Sequence, residues 1–284
     1  MKPYTSNFAV SNDGTKIHYR QMGSGEGLVL VHGAMMYSGS FMQLAGLLAD
    51  HFTVYIPDRC GRGLSEMHAA HSLLAESEDI QTILNQTNTR NIFGLSSGAI
   101  IVLQTALLYP NLQKIALFEP PLLVDATTAH LLQLERNYDR AMAKQQYGKA
   151  FISFMKKAGD RGSWMKSLPA FVTAPLMNIA INSNAKRKSD KKKTDLKSLI
   201  IATQYDNRAV RQSQGIIDKV PDITADILLM GGEKSNPFLK KSSDALNAAL
   251  PNAQRITLPN TGHTAAANSE KPELVANELI AFMK

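Results

Sequence analysis

The sequence predicts an α/β fold with a mostly parallel sheet and helices on both of its faces. Three observations carry that expectation. Short apolar runs of strand length alternate with segments of helical period, a serine between two glycines joins one such run to a helix, and the alternation is interrupted once by a long, mostly helical stretch.

The chain opens as a hairpin, with a strand over Asn7 to Val10, a turn at Asn12-Asp13-Gly14 and an alternating strand over Lys16 to Met22. Gly23 to Gly27 reads as a flexible connection. It precedes a strand and does not lead from a strand into a helix, so it is not a dinucleotide motif. Leu28 to Val31 is a continuous apolar run ending in His32-Gly33, as in a parallel strand buried on both faces. A helix is expected from Ser38 to Asp50, a strand from Phe52 to Ile56 stopped by Pro57, and a glycine-punctuated loop from Asp58 to Ser65. Leu73 to Gln86 has helical character, and Arg90 to Phe93 is the next strand. Ala99 to Tyr109, closed by Pro110, has the length and composition of a buried helix. Lys114 to Phe118 is a further strand, ending at Glu119-Pro120-Pro121.

From Leu122 to Asp222 no buried strand is evident. Helices are expected over Thr127 to Lys144, Tyr147 to Lys157 and Leu196 to Lys219. This block reads as a lid inserted into a core made of residues 1–121 and 223–284, with its later part returning to pack on that core. Trp164, Met165, Phe171, Met177 and Ile181 lie within it as candidate walls of an apolar pocket, or as ordinary packing. Alternation resumes with a strand over Asp226 to Met230, a helix over Pro237 to Leu250, a strand over Gln254 to Leu258 and a closing helix over Pro272 to Met283.

Composition narrows the function. A chain of 284 residues holds one large α/β domain, or a core with an insertion. Cys60 is the single cysteine, so no intrachain disulfide forms and a reducing compartment is compatible. The first residues contain no apolar stretch of signal-peptide length, and no run approaches the ~18 apolar residues of a membrane span. A cytoplasmic protein without membrane insertion is expected. The formal charge of +7 is concentrated in Lys186 to Lys193, which reads as a solvated loop or a contact for an acidic surface. The run has no interleaved aromatics for base stacking, and no nucleic-acid partner is expected.

The chemistry centres on Gly94-Leu95-Ser96-Ser97-Gly98, directly after a strand and before a helix. A strand turning sharply into a helix strains its corner residue, and the glycines keep Cβ atoms away from neighbouring backbone, which makes Ser96 a candidate nucleophile. A serine hydroxyl needs a base and donors for an oxyanion. His263, after the last strand on the Gly262 turn, is the candidate base. The amides of Ser97 and of Ala34, which follows His32-Gly33, are the candidate donors. His68 and His71 have one-turn spacing but no supporting ligand set, so no metal is expected, and no other cofactor is required. Asp58 and Arg59 read as braces of their loop. Cys60 lacks a recognisable activating partner.

His32-Gly33, Asp58-Arg59 through Gly63 and Ser65, Gly94 to Gly98 and Gly262-His263, in this order, resemble the α/β-hydrolase superfamily over almost the whole chain. The resemblance implies an eight-stranded sheet and a Ser, acid, His triad. In most of that superfamily an aspartate lies a few residues after the glycine ending the seventh strand, whereas this chain reads Gly231-Gly232-Glu233-Lys234-Ser235. Two carboxylates remain as candidate acids: Glu233, slightly early, and Glu119 at the end of the sixth strand. The Gly-Leu-Ser-Ser-Gly-Ala elbow with Phe118-Glu119-Pro120-Pro121-Leu122 is similar to a lid-bearing subgroup that includes zearalenone-type lactone hydrolases, in which a glutamate after strand six is the acid. That resemblance favours Glu119. It implies a serine hydrolase of a small apolar carboxylic ester or lactone. Carbon–carbon bond hydrolysis of a diketone-like substrate and a hydrolase-fold receptor with little turnover stand as alternatives.

Overall fold

Eight strands form one sheet: β1 (Thr5–Val10), β2 (Lys16–Gly23), β3 (Glu26–Val31), β4 (Phe52–Pro57), β5 (Asn91–Leu95), β6 (Lys114–Phe118), β7 (Asp226–Gly232) and β8 (Gln254–Leu258). They lie in the order β1-β2-β4-β3-β5-β6-β7-β8. The pairs β1/β2 and β2/β4 are antiparallel, and the pairs from β4/β3 through β7/β8 are parallel. The computed structural model describes residues 2–124, 128–158, 175, 177–179, 181 and 195–284.

Alternate residues of the parallel strands feed two separate cores, as the period of a strand requires. Val29, Val31, Ile92, Ile115, Leu117, Ile227 and Leu229 face α2 (Leu73–Thr87), α3 (Ser97–Leu108) and α7 (Pro237–Ala249). Their neighbours Leu28, Leu30, Phe93, Leu95, Phe118, Leu228 and Met230 face α1 (Met42–Leu48) and α8 (Pro272–Met283). Both faces of these strands are therefore apolar, which is why they read as continuous runs.

Helix ends follow local chemistry. Ser72 caps α2 by accepting a 3.0 Å hydrogen bond from the Ala75 amide, and Asn236 with Pro237 starts α7. Two predicted helices are shorter in the structure. The stretch from Ser38 opens as a 3₁₀ turn over Ser38–Phe41 before α1 begins. The one from Leu196 ends as α6 (Leu196–Gln212), because Gly215 takes a left-handed φ of 78° and Pro221 follows; two 3₁₀ turns, Ile216–Asp218 and Val220–Asp222, replace its last part.

Between β6 and β7, α4 (Thr128–Ala143) and α5 (Tyr147–Ala158) pack on each other around Tyr138, Ala141 and Ala150. The next helix, α6, is shared. Ile200 joins that small core, while Ala209 and Val210 join the main one beside α2 and α3. No helix among the described residues is long and apolar enough to cross a membrane.

Candidate active site

The chain runs from β3 through α1 to β4 on one side, then crosses back to β5 on the other. The strand order therefore reverses between β3 and β5. A crevice opens at such a switch point outside the carboxyl ends of the strands. Here it brings His32-Gly33-Ala34 beside Ser96-Ser97.

Ser96 sits at φ 58°, ψ −125°, a conformation that costs a non-glycine residue about 1–3 kcal/mol. Its neighbours hold it there. The Ser96 amide donates to the Phe118 carbonyl at 2.9 Å, extending the β5/β6 ladder by one residue. On the other side Ile100, Ile101, Val102 and Leu103 of α3 are fully buried, each contributing roughly 1.5–3 kcal/mol, so the anchorage outweighs the strain. The flanking glycines are sterically required. A methyl on Gly94 would lie 2.7 Å from Ala99 Cα, and one on Gly98 would lie 2.4 Å from the Val31 carbonyl oxygen. A methyl on Gly33 would likewise lie 3.0 Å from Ser96 Cβ. The amides of Ala34 and Ser97 donate no hydrogen bond among the described residues, and Ser97 stands at the positive end of α3.

One strand further along, the Glu119 amide donates to the Met230 carbonyl at 3.1 Å, and the residue then turns at φ 47°. Its carboxylate is 1% exposed, yet both oxygens are used. Oε1 accepts from the Gly232 amide at 2.8 Å, and Oε2 lies 2.7 Å from His263 Nδ1. A carboxylate accepts, so Nδ1 carries a proton toward Glu119 and Nε2 is the ring nitrogen left outside that contact. The His263 side chain remains 17% exposed, and no hydrogen bond joins it to Ser96 among the described residues. The other candidate, Glu233, is exposed and accepts from the Asn260 amide at 2.7 Å, where it braces the turn leading to His263.

Beneath the crevice lies a buried polar network. Asp58 accepts from the Ser38 amide at 2.7 Å and the Leu64 amide at 3.0 Å and pairs with His18 at 2.7 Å, so it braces its loop as the sequence predicts. Arg59 grips Glu76 with Nε at 2.7 Å and Nη2 at 2.9 Å. Its Nη1 donates to Asp206 Oδ1 at 2.8 Å, Ser97 Oγ at 3.1 Å and the His32 carbonyl at 3.2 Å. Burial, with the Arg59 and Arg62 cations nearby, pushes His32 down to about 3. Its neutral ring donates from Nδ1 to the Gly33 carbonyl at 2.9 Å and accepts the Arg59 amide at Nε2, at 3.2 Å. His32 is thus committed to holding the loop.

Burial pushes the Cys60 thiol up to about 12, which leaves it without nucleophilic character near neutrality. His68 lies between Asp13 at 2.7 Å and Asp79 at 2.8 Å, and His71 pairs with Glu76 at 2.7 Å. Among the predicted pocket residues, Trp164, Met165 and Phe171 lie outside the described residues, as does the Lys186 to Lys193 run. Met177 is described, and it packs on the small core of α4, α5 and α6 together with Met35. Met35 follows Ala34 at φ 58° and joins the loop after β3 to the helical segment.

Sequence reasoning missed Met35, Arg62 and Asp206. For Asp206 a signal exists: Leu199, Ala202, Thr203, Asp206, Ala209 and Val210 form one buried stripe of α6, and a carboxylate in such a stripe requires buried cations.

The fold, the strained serine between glycines and the buried Glu119–His263 pair define an α/β hydrolase. The chain belongs to that family, described as the alpha/beta hydrolase fold, whose sequence profile matches residues 27–268. It is similar to an alpha/beta hydrolase from Sphaerobacter thermophilus, with a TM-score of 0.76 and 26% identity over 98% of this chain and 100% of that one. Among curated proteins, the hydrolase YraK of Bacillus subtilis is 30% identical over 116 residues, which is 39% of this chain and 43% of that protein. The pimeloyl-[acyl-carrier protein] methyl ester esterase of Vibrio cholerae is 34% identical over 93 residues, 32% of this chain and 35% of the esterase. The chain thus spans less than half the length of these curated relatives.

Proposed function

We propose that the protein is a serine hydrolase of small apolar carboxylic esters or lactones, with Ser96, His263 and Glu119 as its triad. The observation that carries this reading is the 2.7 Å contact of His263 Nδ1 with the buried Glu119 carboxylate, one strand away from the strained Ser96. Similarity to a methyl ester esterase over part of the chain favours an ester substrate. The lactone reading rests on the resemblance of the elbow and the Phe118 to Leu122 segment to zearalenone-type enzymes.

In this mechanism His263 Nε2 takes the Ser96 hydroxyl proton as Oγ attacks the substrate carbonyl. Glu119 orients the ring and stabilises the imidazolium. The amides of Ala34 and Ser97 hold the oxyanion of the tetrahedral intermediate. Collapse breaks the ester bond, and His263 returns the proton to the leaving alkoxide. A water, deprotonated by the same nitrogen, then attacks the acyl-enzyme and releases the acid, restoring Ser96. Residues 122–222 act as a lid on a core of residues 1–121 and 223–284. Met35 and Met177 contribute apolar wall; Trp164, Met165 and Phe171, expected from the sequence in the same wall, lie outside the described residues.

A fluorophosphonate is expected to label Ser96, and Ser96→Ala to abolish both labelling and turnover. p-Nitrophenyl esters, macrocyclic lactones and diketones then separate the substrate classes. Turnover of esters or lactones supports the reading. Turnover of diketones alone, or tight binding of an apolar ligand without labelling, overturns it.

A further inference from the structure

We propose that Asp206 is a positioning residue for the oxyanion hole. Acting through the Ser97 hydroxyl and the Arg59 guanidinium, it holds the loops that carry the Ala34 and Ser97 amides at their working separation. The inference rests on the roles proposed for those two amides.

Three contacts converge on this point. Ser97 Oγ donates to Asp206 Oδ1 at 2.7 Å and accepts from Arg59 Nη1 at 3.1 Å, so both hydrogen-bonding modes of the hydroxyl are engaged. The same Nη1 reaches the His32 carbonyl at 3.2 Å, two residues before Ala34. One guanidinium nitrogen therefore touches both amide-bearing loops, and Asp206 accepts from it at 2.8 Å.

Asp206 is itself immobilised. Its second oxygen accepts from Arg62 Nη2 at 2.6 Å, and that nitrogen also donates to the Ala202 carbonyl, one helical turn before Asp206 on α6. Burial alone raises a carboxyl pKa, but the Arg62 and Arg59 cations hold Asp206 below the usual carboxylate range. The far edge of Arg59 is filled by Glu76, which is held in turn by His71. Two guanidiniums face two carboxylates, so the network balances its charge inside the protein.

A brace for stability alone requires only that α6 be tied to its neighbours. This one spends the carboxylate on the first residue of α3, whose amide is a proposed oxyanion donor. Oxyanion stabilisation depends on the donor's position to a fraction of an ångström, and a hydroxyl locked on both sides fixes the adjoining amide.

The test is a double-mutant cycle of Ser97→Ala and Asp206→Asn on a p-nitrophenyl ester. Deleting an oxyanion donor costs about 10²–10³ in kcat, so displacing one is expected to lower kcat about 10- to 100-fold, with KM nearly unchanged. Affinity for a trifluoromethyl ketone, whose hemiketal oxygen occupies the hole, is expected to fall by a similar factor. The double variant is expected to be no worse than the worse single one, because the Ser97 hydroxyl works only through Asp206 and the Arg59 that Asp206 holds. Ser97→Ala leaves every ion pair in place, so it carries the test if Asp206→Asn fails to fold. The proposal is overturned if folded variants keep wild-type kcat and inhibitor affinity while only Tm falls, or if the two losses multiply. Retained activity in Ser96→Ala, or no turnover of either esters or lactones by the wild type, removes the proposed function and this inference with it. Loss in Ser96→Ala alone removes only this inference.

Discussion

Two neighbouring strands end in glutamates that have little else in common. After β6, Glu119 is buried, turns at positive φ and spends its two oxygens on the Gly232 amide and on His263. After β7, Glu233 is exposed and caps the Asn260 amide. Glu233 stands nearer in sequence to the place where the family usually carries its acid, yet the ring of His263 faces Glu119. The lesson is that position in sequence does not decide which carboxylate meets an imidazole: burial and the direction of the chain at the strand end do, and on that ground Glu119 is the one proposed as the acid.

The largest effect is expected from removing the buried member of this pair. Glu119→Ala should lower kcat by roughly 10²–10⁴ on any substrate the wild type accepts, with circular dichroism unchanged. If Glu233→Ala proves the more damaging, the assignment fails.

Gly232 tests the connection between the two strand ends. A methyl there would lie 2.7 Å from the Thr261 carbonyl oxygen and 2.8 Å from that of Gly262, both backbone atoms that cannot easily yield. Gly232→Ala should therefore destabilise the protein by about 1–3 kcal/mol in denaturant melts. It should also reduce turnover, since the turn it displaces carries His263.

His68 offers a histidine–carboxylate site away from the crevice for contrast with His263. Its hydrogen bond to Asp79, opposed by burial and aided by Asp13, raises it from 6.5 to about 9. Because the folded value is the higher one, its stabilising contribution is complete below about pH 6.5 and disappears as pH rises through about 9. His68→Gln should lower Tm at pH 7 and flatten the decline of Tm between these values, while leaving kcat near wild type.

The smallest effect belongs to Glu233→Ala. Loss of an exposed cap changes stability by about 0.5 kcal/mol, and kcat should stay within about threefold of wild type. A larger loss of kcat would mean that the turn before His263 depends on that cap for its geometry.

The strands are legible in the sequence within one or two residues, because β3, β5, β6 and β7 are buried on both faces and leave continuous apolar runs. The elbow is legible for a steric reason: Gly94 and Gly98 abut backbone atoms that exclude any side chain. Helix ends are less legible where a local choice intervenes, as at Gly215, whose left-handed turn stops α6 before the apolar pattern runs out. Met35 carries no signal, since its packing against the α4–α5–α6 core is set by a positive φ in a loop.

By itself the sequence determined the alternation of strands and helices, the corner at Ser96 and the presence of Glu119, Glu233 and His263 at strand ends. These follow from local sterics and from the period of apolar residues. Tertiary structure alone decided which carboxylate meets His263 and which residues lie beneath Ser97. Those contacts join residues more than 100 positions apart, Glu119 with His263 and Ser97 with Asp206, and no local rule relates their distance in the chain to their distance in space.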